Sequence, residues 1–169
     1  VLQELGELQE ALERYSEAIR LNPNYAEAYN NKGTALQELG RYDEAVKAYN
    51  KAMESEDHFK KASYNLAILL YEKQQYEEAA KLFAKDVSTT SQTYLLKCFF
   101  EEGMKSKIFS QIDYLLKQGD IDAVLGAYIS RSKIKFGMDI ENPFCNEPLN
   151  YVSNINLSEK CDFSNIFIK

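Results

Sequence analysis

His58 is the only histidine in the chain, and it stands beside Asp57. A facial triad for non-haem iron needs two histidines and a carboxylate, so this chain alone cannot build one. Nucleophilic catalysis by serine or cysteine likewise needs an imidazole held near the attacking atom. The place of His58 between two helical patterns predicts an exposed residue in a surface turn. Asp120 and Asp122 have the spacing of calcium-loop carboxylates, but the glycine and the distal glutamate of such a loop are missing. They read instead as caps for a following helix. The pairs Asp43-Glu44 and Glu77-Glu78 recur at one spacing and at a helix start, so they are features of a repeat and not an acid/base dyad. No H-E-x-x-H, P-loop or G-x-G-x-x-G is present. The expectation is a chain with no catalytic residue, no metal and no cofactor.

Charge and cysteine usage narrow the class further. The net charge is −6, and residues 1–93 hold 11 basic against 16 acidic side chains. That balance argues against a nucleic-acid footprint. The short basic stretch Arg131, Lys133 and Lys135, with Tyr128 and Phe136, reads as a solvated helix face. Cys98, Cys145 and Cys161 form no C-x-x-C pair and are expected to be reduced, buried or partly buried thiols. No signal-peptide pattern is seen, and no apolar run approaches the roughly 18 residues of a membrane span. A cytoplasmic chain without a membrane partner is the expectation.

What must position any functional residue is a repeat. Ala11, Ala45 and Ala79 are spaced by 34, as are Tyr15, Tyr49 and Phe83, and Leu2, Leu36 and Leu70. Gly6 and Gly40 share one column, and Ala18 and Ala52 another. Within a unit, Tyr29, Gly33, Leu36 and Leu39 have helical spacing, and so do Tyr42, Ala45, Val46, Tyr49 and Ala52. Gly40 lies between the two patterns, where a left-handed residue ends the first helix. Gly33 and Ala45 are expected to be small because two helices cross closely there, and Tyr49 to be large because it fills the gap toward the following unit.

The stretch AEAYNNKGTALQELGRYDEAVKAYNKAMESEDHF, with Tyr29, Gly33, Leu36, Ala45, Tyr49 and Ala52 at signature positions, resembles the tetratricopeptide repeat. The resemblance implies an all-α, right-handed solenoid of antiparallel helix pairs. The units are a partial repeat over 1–25 and full repeats over 26–59 and 60–93, the last departing at Ser63 or Tyr64, Gln74 and Asp86. Residues 94–137 are expected to form a degenerate repeat and a capping helix. Ile108, Ile112, Leu115 and Leu116 give the apolar face of one segment; Ala123, Val124, Ala127, Tyr128 and Ile134 give that of the next. Residues 138–169 are expected to be an irregular tail with a short helical turn near Leu149–Ser153, or a linker to a missing domain. Val1 falls inside a repeat, so the chain reads as a fragment.

In this family the first helix of each repeat lines a concave groove, so the resemblance implies a scaffold that binds a peptide or protein partner there. The residues it points to are Asn30, Asn31 and Thr34 of the second repeat and Lys61, Tyr64, Asn65 and Ile68 of the third, with Glu27, Gln37, Glu38, Tyr71 and Glu72 beside them. Some members grip a carboxylate with two cations. Asn31 and Lys61 match two of those positions, but Asn65 stands where the second cation is usual. The string ENPFCNEPLNYV resembles the connector between such arrays and an iron/2-oxoglutarate oxygenase domain. It implies an alternative, the N-terminal part of a larger enzyme (that oxygenase, or a transferase) with its catalytic domain beyond Lys169. Self-association through uncovered repeat ends is a third possibility.

Overall fold

The computed structural model describes residues 2–119 and 123–140, with side chains from Gly6 onward. The described residues form eight helices and no strand: α1 (Leu2–Leu21), α2 (Ala26–Glu38), α3 (Tyr42–Ala52), α4 (Glu56–Glu72), α5 (Tyr76–Phe83), α6 (Thr89–Glu101), α7 (Lys105–Gln118) and α8 (Ala123–Phe136). The chain divides into two compact units, Val1–Gln111 and Ile112–Lys169. In the first, each helix packs on the next from α1 to α6, and α2 also packs on α4. The first helices α2 and α4 are therefore neighbours, each paired with its own second helix, α3 or α5.

The same reversal ends α2, α4 and α6. Gly40 has φ +72°, and its amide donates to Gln37 O (2.9 Å) while Arg41 N donates to Leu36 O (2.8 Å). Gly103, at φ +68°, closes α6 in the same way, with Met104 N on Phe99 O at 2.9 Å. At the end of α4 the left-handed residue is Gln74, φ +61°, with Gln75 N on Leu70 O at 2.8 Å. Its side chain pays the Cβ penalty that glycine avoids. Acidic pairs start α3 and α5 and a lysine ends each, as the helix dipole favours.

Packing explains the small and large columns. A Cβ on Gly33 would lie 2.6 Å from Cε1 of Tyr49, so the ring rests on the bare backbone of α2. Tyr49 is 1% exposed, and its hydroxyl donates to Gln37 Oε1 at 3.0 Å and lies 3.3 Å from Thr34 Oγ1. Its ring thus packs inside its own unit as well as toward the following one, where Leu66 and Leu69 of α4 share its cluster. In the third repeat Ala67 and Phe83 take the Gly33 and Tyr49 columns, both buried in one cluster with Ala79 and Leu95.

Gln74 follows Gly40 by 34 residues, but Gly103 follows Gln74 by 29. The third repeat is shortened by five residues, with α5 only eight residues long. Read 29 residues on, the columns of Ala67, Ala79 and Phe83 hold Leu96, Ile108 and Ile112, all fully buried. The turn before α6 is tied by Asp86, whose carboxylate accepts from Ser88 Oγ (2.6 Å) and Ser91 Oγ (2.7 Å). Those two hydroxyls hold its pKa below the usual carboxylate range. Gln92 Nε2 donates to Asp86 O at 2.6 Å, and Gln111 Nε2 donates back to Gln92 Oε1 at 2.9 Å.

In the second unit Ile112 and Leu115 of α7 are buried, and Gly119, at φ +77°, follows the helix. The buried side of α8 is Leu125, Gly126, Tyr128, Ile129 and Ser132. Of the side expected from sequence only Tyr128 is buried, while Ala123, Val124 and Ala127 are exposed and Ile134 is 83% exposed. Asp120, Asp122, Cys145, Cys161 and the turn expected near Leu149–Ser153 lie outside the described residues.

Candidate functional site

With the five-residue shortening taken into account, α2, α4 and α6 carry three matching stripes at i, i+4, i+7 and i+11, the spacing of one helix face. They are Glu27-Asn31-Thr34-Glu38, Lys61-Asn65-Ile68-Glu72 and Thr90-Tyr94-Lys97-Glu101. In each stripe the end residues are exposed and the second is half-buried. Across the stripes the rows read Glu/Lys/Thr, Asn/Asn/Tyr, Thr/Ile/Lys and Glu/Glu/Glu.

Of the residues expected in the groove, the structure sets Asn30 aside. It is 1% exposed, between α2 and α4. Its Oδ1 accepts from Asn65 Nδ2 at 3.0 Å, and its Nδ2 donates to Asn31 Oδ1 at 3.3 Å. A buried amide so engaged joins two helices and does not meet a ligand. The expectation failed because residue 30 lies between the stripe and the neighbouring helix, one position from the half-exposed Asn31 column. Asn31 and Asn65 stay half-exposed, and Thr34 and Lys61 are exposed. The Thr34 hydroxyl donates to Asn30 O at 3.3 Å. Gln37 Nε2 reaches across to Glu72 Oε2 at 3.0 Å, a second link from α2 to α4.

The next junction along the face is aromatic. Tyr94 of α6 stacks on Phe83 at 5.2 Å between centroids and meets Tyr64 (6.4 Å) and Tyr71 (5.6 Å) edge-on. Tyr64 also meets Phe83 at 6.0 Å, and Tyr71 meets Tyr76 at 5.3 Å. Ile68 packs against the same cluster. Burial, then the neighbouring Tyr94 and Asp86, push the Tyr64 phenol above its ordinary pKa. Lys97 Nζ lies 4.2 Å from the Tyr94 ring centroid, a cation–π contact. A period of 34 does not lead to Tyr94, Lys97 and Glu101, because the step from Gln74 to Gly103 is 29 residues. The signal that finds them is Gly103, a helix-ending glycine five residues early.

The other candidates for chemistry lie apart. His58 is half-buried in the first turn of α4, not exposed as expected, and its Nδ1 is buried without a hydrogen-bond partner. Cys98 is fully buried, and burial pushes its thiol up to about 12, which makes it unreactive. Among the described residues no three His, Cys, Asp or Glu side chains gather where they could hold a metal. An open cleft of about 450 Å³ runs between α1 and the α2–α3 pair, lined by Ser16, Arg20, Lys32 and Arg41 among others. Lys32 Nζ donates there to Ser16 Oγ at 3.0 Å. None of the cleft residues belongs to the three stripes.

Residues 1–40 match a family model described as TPR repeat, and residues 26–59 match one described as tetratricopeptide repeat. A search of curated proteins found no match. Among solved structures, MamA residues 41 to the end from Desulfovibrio magneticus RS-1 is similar with a TM-score of 0.69 and 19% identity, covering 92% of this chain and 89% of that one. YrrB, described as a TPR protein with an unusual peptide-binding site, gives 0.60 and 23% over 78% of this chain and 73% of its own. PilF of Pseudomonas aeruginosa gives 0.55 and 16% over 84% and 72%. At these identities the likeness is one of fold.

Proposed function

We propose that this chain, a member of the tetratricopeptide-repeat family, is a scaffold that binds an extended peptide or a peptide-like segment of a protein across α2, α4 and α6. The observation that carries this reading is the set of three aligned, half-exposed stripes on neighbouring helices. Their backbone groups are satisfied within the helices, so side chains must do the recognising. Asn31 and Asn65 offer amides to a peptide backbone, and Ile68, Tyr71 and Tyr94 offer apolar area with little rotamer freedom left to lose. That YrrB is described as having a peptide-binding site adds support to the class of ligand.

The reading includes no chemical step by this chain. It also includes no nucleic-acid or membrane partner: the chain is acidic, and no helix among the described residues is long and apolar enough to cross a membrane. A peptide-array screen, followed by Asn31→Ala and Lys61→Ala, tests it. Loss of about threefold to tenfold in affinity in each variant is expected for contacts of this size. Binding that neither substitution disturbs moves the site off this face.

A further inference from the structure

An amide buried between two helices is costly unless its polar atoms find partners. Asn30, 1% exposed, finds them on two surface residues of different helices. Its Oδ1 accepts from Asn65 Nδ2 of α4 at 3.0 Å, and its Nδ2 donates to Asn31 Oδ1 of α2 at 3.3 Å. Joining first helices does not by itself require an amide. One repeat on, the same column holds Tyr64, which meets Tyr94 of α6 edge-on at 6.4 Å and Phe83 at 6.0 Å, so rings serve there where an amide serves here. What Asn30 adds to the junction is a direction for its two neighbours.

An asparagine amide accepts through its oxygen and donates twice through its nitrogen. At Asn31 the oxygen is turned to Asn30, and both N–H groups are left for a ligand. At Asn65 one N–H is taken by Asn30, and the oxygen is left with the other N–H. Both residues are half-exposed. The α2 side of the junction is therefore rich in donors and the α4 side rich in acceptors. A peptide backbone carries both kinds of partner, C=O and N–H. Two amides already turned to it lose less freedom on binding than two that rotate. Resting on the peptide-binding reading above, we propose that Asn30 is the positioning residue of this face. It holds Asn31 as the donor to a backbone carbonyl of the bound peptide and Asn65 as the acceptor from a backbone N–H.

The probe is the tightest-binding peptide of the array, labelled with fluorescein, titrated with the full chain and followed by fluorescence anisotropy. Beside it are analogues with an ester in place of one backbone amide at a time, each lacking one N–H. On the wild-type chain the analogue that lacks the N–H facing Asn65 is expected to bind about fivefold more weakly than the parent. Asn30→Leu is expected to weaken the parent by a similar factor and to bring that analogue within about twofold of it, because Asn65 is then free to turn. Water can satisfy the half-exposed Asn31 and Asn65 in this variant, so its denaturant midpoint should not fall below that of the wild type. A second measurement leaves the core intact. Asn31→Ala is expected to shift the side-chain amide 1H–15N signals of Asn65, on the facing helix, through Asn30. If Asn30→Leu does not fold, that shift decides. No ester effect on the wild type, the same ester effect in a folded Asn30→Leu, or Asn65 signals that stay in place overturns the proposal. If one of these results is found while Asn31→Ala and Lys61→Ala weaken the probe, this inference falls and the groove stands. If those two substitutions also have no effect, both fall.

Discussion

The junction between α2 and α4 and the junction between α4 and α6 are built on one plan with opposite chemistry. In the first, Asn65 reaches back to Asn30, Tyr49 turns its hydroxyl to Thr34 and Gln37, and Gln37 holds Glu72. In the second, the corresponding residues are Tyr94 against Tyr64, Phe83 in place of Tyr49, and Ile68 and Tyr71 in place of Thr34 and Gln37. Loss of the Tyr49 hydroxyl at Phe83 comes together with loss of both its partners. That is what desolvation requires, since a buried hydroxyl without a partner costs more than the hydrogen bond it replaces. The backbone plan rests on the small and bulky columns and the left-handed cap, and it tolerates either chemistry.

The largest test is to remove the bulky column. Phe83→Ala and Tyr49→Ala are each expected to cost about 3–5 kcal/mol, read as a lower denaturant midpoint, because both rings are fully packed. A much smaller loss at one of them would mean that its junction adds little. Next in size is an exchange of chemistry. Phe83→Tyr brings a hydroxyl toward Ile68, which has no acceptor, and is expected to cost about 1–3 kcal/mol. Adding Ile68→Thr should recover part of that, and a double-mutant cycle without coupling would break the equivalence of the two junctions.

Smaller effects sharpen it. Gln74→Gly relieves a left-handed side chain and should stabilise by about 1 kcal/mol, while Gly40→Gln should cost a similar amount. Tyr49→Phe should cost about 1 kcal/mol at neutral pH. It also carries a pH signature, since burial raises the Tyr49 phenol above its ordinary pKa. The resulting stabilisation is complete below the unfolded value of about 10 and is lost as the pH rises through the folded value. Urea midpoints of the wild type should therefore fall on the alkaline side, and those of Tyr49→Phe should fall less.

Much of this architecture could be read in advance, because its causes are local. Gly33, Ala45, Tyr49 and Gly40 sit where helix spacing and a turn demand their size or backbone freedom, and the family pattern follows from them. Gln74 showed only as a departure from that pattern, since nothing local forces glutamine into the left-handed region. The shared face of α2 and α4 was legible by column but not by single position. The burial of Asn30 depends on which way the stripe of α2 faces relative to α4, a tertiary fact that helical periodicity leaves open within one residue. The side of α8 was misjudged for a related reason. A weakly amphipathic helix with Val124 and Ile134 on one side and Leu125 and Ile129 on the other has no face that hydrophobicity alone selects.

The buried amide of Asn30 has a consequence for lengthening such an array. The residue at its column must suit the residue that follows its neighbour's one helix on: asparagine takes Asn65, and tyrosine at 64 takes Tyr94. A tandem duplicate of the second repeat would set Asn30 of one copy against Asn31 of the next, a compatible joint. Duplicating the third would confront Tyr64 with Asn65, leaving an amide against a ring. Units of this kind are therefore keyed to their successors, and only some orders of splicing give a continuous array.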